Sequence, residues 1–153
     1  GCATRAAGER RLKEIVARII GGAKRHSLQH AILAALPFRG AITTNYDCLF
    51  ERAVQDVGKD LAVLPAQVGS VRQAWCLKLH GSADLPESII VTRSDYTRFS
   101  KEQAASEGVL QGLLLTQHVL FIGFSMRDEN WCRIIETVRA PADSVVARKG
   151  TLL

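Results

Sequence analysis

The sequence predicts an α/β fold: a parallel sheet covered by helices on both faces. Three observations point to it. Short β-prone runs alternate with amphipathic stretches of helical length. Several of those runs, "VLFI" above all, are apolar at consecutive rather than alternate positions. Three of them end in clusters of small polar and titratable residues. Alternating strands and helices are the pattern of βαβ units, and a strand apolar on both sides suits a sheet buried on both faces. The third observation bears on function, because ligands of such sheets bind outside the carboxyl ends of the strands.

In "ERRLKEIVARII", Leu12, Ile15, Val16, Ile19 and Ile20 recur at helical spacing, and Gly21-Gly22 supplies a stop. Ser27 is the expected N-cap of a second helix through "LQHAILAAL", ended by Pro37. "GAITT" is then a short strand. Asp47 caps a helix "CLFERAVQDVG" that Gly58 closes. "LAVL", "WCLKL" and "SIIVT" are candidate strands. Ser94 or Asp95 opens a helical stretch, with room for a break, that reaches Gln117. "HVLFIG" is the most apolar strand, and Asp128 caps a helix "ENWCRIIETVRA" that ends before Pro141. "SVVA" is a candidate last strand.

A chain of 153 residues can bury about 70% of the surface its unfolded form exposes, so residues 1–153 are expected to form one domain. With 47% hydrophobic and 23% charged residues the composition is that of a globular protein. No apolar run approaches the roughly 20 residues that span a bilayer. No secretory leader pattern opens the chain, and the cytoplasm is the simplest assignment. Cys2, Cys48, Cys76 and Cys132 form no C-x-x-C pair and read as reduced, structural thiols. The net charge of +5 is concentrated in the stretch through Arg25, where seven basic residues face only Glu9 and Glu14. This is either a solvated helix face or an anion-binding arm. Without interleaved aromatics, nucleic acid is not an expected partner. His26 and His30 have the i, i+4 spacing of metal ligands, but no third ligand lies nearby and no metal is expected.

"AITT" runs into Asn45-Tyr46-Asp47, "CLKL" into His80-Gly81-Ser82, and "VLFI" into Gly123-Phe124-Ser125-Met126-Arg127-Asp128. Each cluster has an ordinary structural account: a turn with an N-cap, a strand end with a positive-φ glycine, a close helix–strand approach. In a parallel sheet all three would share one edge, and their coincidence there is what suggests chemistry.

"TTNYDCLFERA", "KLHGS…IIVTRSDY" and "VLFIGFSMRDENW" resemble, in order and spacing, the successive motifs of the sirtuin-like NAD-consuming family, in particular its divergent prokaryotic branch from anti-phage defence proteins. The resemblance covers roughly residues 30–140. It implies a Rossmann-like parallel sheet with NAD as substrate. It implies that Asn45 and His80 are catalytic, with Asn45 positioning the nicotinamide ribose and a water. Asp47 matches the carboxylate that faces the nicotinamide carboxamide. Thr43, Thr44, Gly81 and Ser82 belong to the same binding edge, and Gly123, Ser125 and Asp128 to the loop that holds the adenosine half. Thr92, Asp95 and Tyr96 fit the family's T-x-x-D-Y pattern and are expected to be mainly structural. The chemistry suits these types. An amide both donates and accepts hydrogen bonds, and an imidazole titrating near neutrality can take a proton from a ribose hydroxyl or a water. Cys48 lies beside this site without a partner histidine in sequence and is not expected to be a nucleophile.

Two departures shape the expectation. Between Gly81 and the next strand stands only "SADLPE", where protein-deacylating sirtuins carry a zinc module with paired C-x-x-C motifs. Zinc is therefore not expected, and NAD hydrolysis, with water as acceptor, is favoured over protein deacylation. The family also opens with a strand and a glycine-rich loop that holds the pyrophosphate on backbone N–H groups. Nothing like it precedes Asn45. The first strand and this loop are expected upstream of Gly1, residues 1–153 alone are expected to be weak or inactive towards NAD, and other domains of a longer chain or a homo-oligomer are expected partners. The alternative is a non-catalytic NAD-binding, structural or regulatory module.

Overall fold

The computed structural model describes residues 2–67, 73–96, 104–124, 127, 129–139 and 150–152. They fall into two compact units, Gly1–Asp95 and Tyr96–Leu153.

The first unit begins with two helices, α1 (Cys2–Gly21) and α2 (Leu28–Ala35), followed by strand β1 (Gly40–Thr43), helix α3 (Leu49–Asp56) and strands β2 (Leu61–Leu64) and β3 (Ala74–Lys78). The strands form a parallel sheet in the order β1-β3-β2. Gly40 to Thr43 lie against Trp75 to Lys78, and Leu61 to Leu64 against Ala74 to Leu77. β3 is therefore central, and Cys76, Leu77 and Leu79 are at most 1% exposed. α2 and α3 pack through Ala34, Ala53 and Val54, with Phe38, Phe50 and Leu61 around them. Lys59 reaches over the Phe38 ring and donates to the carbonyls of Ala34 and Leu36, the open end of α2.

Several boundaries follow the local chemistry read from the sequence. Ser27 precedes α2 in an extended conformation, and the imidazole of His30 accepts its backbone N–H, a reciprocal cap in which histidine stands in for the usual Glu or Gln. α3 closes in a Schellman motif: the N–H of Lys59 reaches the carbonyl of Val54 and that of Gly58 the carbonyl of Gln55, with Gly58 at φ +74°.

Two expectations need correction. "SIIVT" is not a strand. A 3-10 turn occupies Pro86–Ser88, and residues 89–91 run on outside any ladder, although Ile89 and Ile90 are buried. Their N–H groups are satisfied locally: Ile90 donates to the His80 carbonyl, and Val91 and Thr92 to the Asp95 carboxylate. The helical turn that follows is opened by Thr92 rather than by Ser94 or Asp95. The Thr92 hydroxyl accepts the N–H of Asp95 while the Asp95 carboxylate accepts that of Thr92, so the T-x-x-D pattern is a capping box.

The second unit contains α4 (Ala104–Thr116), β4 (Val119–Phe121), α5 (Glu129–Arg139) and β5 (Gly150–Leu152), with β4 and β5 parallel. β4 is the strand expected in "HVLFIG", though Leu120 is exposed rather than doubly covered. The Trp131 ring packs edge-on against Phe121 and Phe124, and Arg133 pairs with Glu107 to join α5 to α4. Residues 144–147, the candidate strand "SVVA", lie outside the described residues. No helix among the described residues is long and apolar enough to cross a membrane.

Candidate functional site

Because β1 and β3 are parallel and adjacent, Asn45 and His80 leave the sheet on the same edge. The ladder continues one step beyond the strands, with the N–H of Leu79 donating to the Thr43 carbonyl at 2.9 Å. The turn after β1 is shaped by its own side chains. The Thr43 hydroxyl accepts the N–H of Asn45 at 3.0 Å, and Asp47 Oδ1 accepts that of Leu49, the first residue of α3, at 3.0 Å. Asp47 thus caps α3 from one position before its boundary, an Asx turn. Thr44 is half-buried, while the Asn45 side chain is exposed.

His80 is buried, and the chain reverses directly after it at Gly81, whose φ is +89°. A Cβ there would lie 2.2 Å from the carbonyl oxygen of Ser88, so only glycine lets the two segments meet. The loop is then stitched by Ser82 N–H to Ser88 Oγ at 3.0 Å and by Ser88 Oγ to the Leu85 carbonyl at 2.6 Å.

Three segments meet at this edge. The Tyr46 hydroxyl donates to the Ile90 carbonyl at 2.6 Å, the Ile90 N–H to the His80 carbonyl at 2.9 Å, and the Ala83 N–H to the Tyr46 carbonyl at 2.7 Å. Tyr46 therefore couples the Asn45 turn to the His80 loop both directly and through residue 90. α1 holds the far end of that third segment: Lys13 pairs with Asp95 at 2.7 Å, and the Ser94 hydroxyl donates to Glu9 at 2.8 Å. Burial alone would raise the Asp95 carboxyl. Lys13, the N–H and hydroxyl of Thr92 and the N–H of Val91 overcome this and hold it well below the usual carboxylate range. The basic α1 is thus partly spent on structure, with Arg5–Glu9 and Arg10–Glu14 as further i, i+4 pairs.

Cys48 Sγ lies 3.2 Å from Asp84 Oδ2 and 3.5 Å from Ser82 Oγ. Burial pushes its thiol pKa up, which disfavours the thiolate a nucleophile would need. Cys76 is pushed up to about 12, by burial first and by Glu51 second. His26 is turned towards Asp56 at 2.7 Å, and this bond raises its pKa, whereas His30 caps α2; the two do not converge as ligands. Among the described residues no cluster of three or more His, Cys, Asp or Glu could hold a metal.

A shallow groove of about 460 Å³, lined by residues that include Arg18, Gly21, Lys24 and Ala83, runs beside the loop after His80. It contains none of Asn45, Asp47 and His80, and it offers no pairing of amide and imidazole. The candidate residues Asn45 and His80 stand at the strand ends rather than in this concavity.

Thr43, Thr44, Asn45, Asp47, His80, Gly81 and Ser82 therefore gather at one sheet edge. Gly123 follows β4 in the second unit with φ +60°; Ser125 and Asp128 lie outside the described residues. Sequence reasoning missed Tyr46 as the tether, and it missed Lys78 with Glu51 beneath it. A lone lysine inside the apolar run "WCLKL" was the available signal, since an unpaired lysine is almost never fully buried.

Comparison with known proteins gives a consistent picture. The profile of a family described as SIR2-like domain matches residues 39–150. The NAD(+) hydrolase ThsA of Acinetobacter baumannii (strain 532279) is 35% identical over 137 residues, covering 86% of this chain and 28% of the relative. ThsA of Enterococcus faecium is 35% identical over 123 residues, 74% of this chain and 25% of the relative. Defense-associated sirtuin 2 of Bacillus subtilis is 27% identical over 114 residues, 71% of this chain and 11% of the relative. The chain thus spans about a quarter of the length of the first of these curated relatives.

Proposed function

This chain belongs to the SIR2-like domain family, and on that premise we propose that it binds NAD at the carboxyl ends of β1 and β3 and hydrolyses it to nicotinamide and ADP-ribose. It does so as one module of a larger cytoplasmic anti-phage defence protein, with further domains or further copies as partners. The observation that carries this reading is the placement of an exposed carboxamide, Asn45, and a buried imidazole, His80, on adjoining parallel strand ends joined through Tyr46 and Ile90. The similarity to ThsA relatives named as NAD(+) hydrolases supports it.

Breaking the bond between nicotinamide and ribose leaves positive charge on the anomeric carbon. Asn45 holds the ribose hydroxyls and the attacking water, donating to one and accepting from the other. His80 takes the proton that the water or a ribose hydroxyl gives up. Water supplies the new C–O bond, nicotinamide leaves with the electrons of the old C–N bond, and one proton is released. Asp47 uses one carboxylate oxygen to cap α3, which leaves the other for the nicotinamide carboxamide. Thr43, Thr44, Gly81 and Ser82 shape the same edge.

The test is nicotinamide release from NAD by the whole protein, followed by chromatography. Asn45→Ala and His80→Ala are each expected to lower turnover about 100-fold or more, with unchanged melting temperature for the exposed Asn45 and a lowered one for the buried His80. Turnover equal to the parent in both would overturn the catalytic assignment. A module that binds NAD without cleaving it would show calorimetric binding and no nicotinamide, and a purely structural one would show neither.

A further inference from the structure

A lysine stands in the middle of the first unit's core. Lys78 is 2% exposed, on the central strand, two residues before His80, with Cys76, Leu77 and Leu79 as buried neighbours in the chain. Its ammonium makes two contacts. One is an ion pair of 2.9 Å with Glu51 Oε1, in the first turn of α3; the other is a hydrogen bond donated to the Asp47 carbonyl. Glu51 is itself buried.

Such a pair is weak ground for stability. Desolvating two ions costs several kcal/mol, and well-packed apolar replacements are often as stable or more so. What apolar side chains cannot supply is direction. The Lys78 ammonium fixes the carbonyl of Asp47, the residue that closes the Asn45 turn, to the same strand that delivers His80. Glu51 holds that ammonium in place from the helix the turn leads into.

We infer that Lys78, oriented by Glu51, is the positioning residue that sets the Asn45 turn against His80 in the reaction proposed above; the inference rests on that NAD-cleaving reading. Neither side chain is assigned contact with NAD. Their effect passes through the backbone of residue 47 and thus reaches Asn45, while Tyr46 and Ile90 complete the bracing from the opposite side. The arrangement explains why the run "WCLKL" breaks its apolar pattern at the one position that lies beside Thr43 in the ladder.

The experiment uses Lys78→Met/Glu51→Leu in the whole protein, which removes both charges together and so avoids leaving one buried and unpaired. Its melting temperature is expected to stay within a few degrees of the parent. KM for NAD should change less than about threefold and kcat should fall about 100-fold, the size of effect that a displacement of about 1 Å in a catalytic group can produce. The His80 ring and Asn45 carboxamide signals in NMR spectra should shift at the same time. Parental kcat with unshifted signals would overturn the inference. If the parent itself releases no nicotinamide, the NAD-cleaving reading fails. The NMR signals then still decide whether Lys78 and Glu51 position the turn, unshifted signals counting against it. Should the apolar pair fail to fold, Lys78→Gln/Glu51→Gln keeps polar side chains at both positions without charge, and the same readings apply.

Discussion

Replacing Gly81 by alanine is expected to be far more costly than replacing Gly58, although both have positive φ (+89° and +74°). An alanine at Gly58 meets nothing within 4 Å. Its cost is the conformational penalty alone, about 1–2 kcal/mol. At Gly81 the same penalty applies, and the new methyl would also lie 2.2 Å from the Ser88 carbonyl oxygen and 2.4 Å from its carbon. Relief requires moving backbone by about 1 Å, and that backbone is held by Ser88 N–H to the Leu85 carbonyl, by Ser82 N–H to Ser88 Oγ and by the burial of Ile89. Losing one or two of those bonds adds about 1 kcal/mol each, for a total of about 2–4 kcal/mol. At roughly 2–4 °C per kcal/mol for a chain of this size, the melting temperature should fall by about 10 °C for Gly81→Ala and about 4 °C for Gly58→Ala. Thermal unfolding followed by circular dichroism measures both. Equal shifts in the two variants would refute the claim that the close approach of residues 81 and 88 shapes the loop.

Other expectations follow from the same geometry. Asp95→Asn should destabilise by about 2 kcal/mol, because it leaves the half-buried Lys13 ammonium without its carboxylate. The parent should also show acid sensitivity that the variant lacks. The Asp95 pKa is lower folded than unfolded, so its contribution is full above about pH 4 and is lost as pH falls below it; urea unfolding between pH 3 and 7 reads this. Asp47→Asn keeps the Oδ1 acceptor for Leu49, so stability should change by less than about 1 kcal/mol, and any loss of nicotinamide release then belongs to the charge. With Ellman's reagent at pH 8, among Cys48, Cys76 and Cys132 the exposed Cys132 should react first, Cys48 slowly and Cys76 only on unfolding.

What the sequence made legible were features set by neighbours in the chain. The end of α3 at Gly58, the Ser27 start of α2 and the polar termini of β1 and β3 all depend on contacts a few residues apart, and each could be read from residue types at fixed offsets. "SIIVT" could not be read this way. Its branched residues have strand propensity, but whether a run becomes a strand depends on a neighbour offering a ladder; here His80 and Asp95 take the donors first. The same limit hid the bracing of the site. Tyr46 stands 44 residues from Ile90 and Lys78 27 from Glu51, and no offset rule links positions so far apart. The residues at the edge were visible as a pattern, whereas what holds them there is tertiary.

The two tryptophans give the chain a pair of separate optical probes. Trp75 lies on β3 with its indole against Gly40, so close that a Cβ at Gly40 would be 2.2 Å from the ring, and its emission should report the pairing of β1 with β3. Trp131 sits between two phenylalanines in the second unit. With Trp131→Phe or Trp75→Phe, fluorescence would follow one unit at a time. The order in which the two units lose structure under heat or denaturant then becomes a spectroscopic measurement requiring no added label.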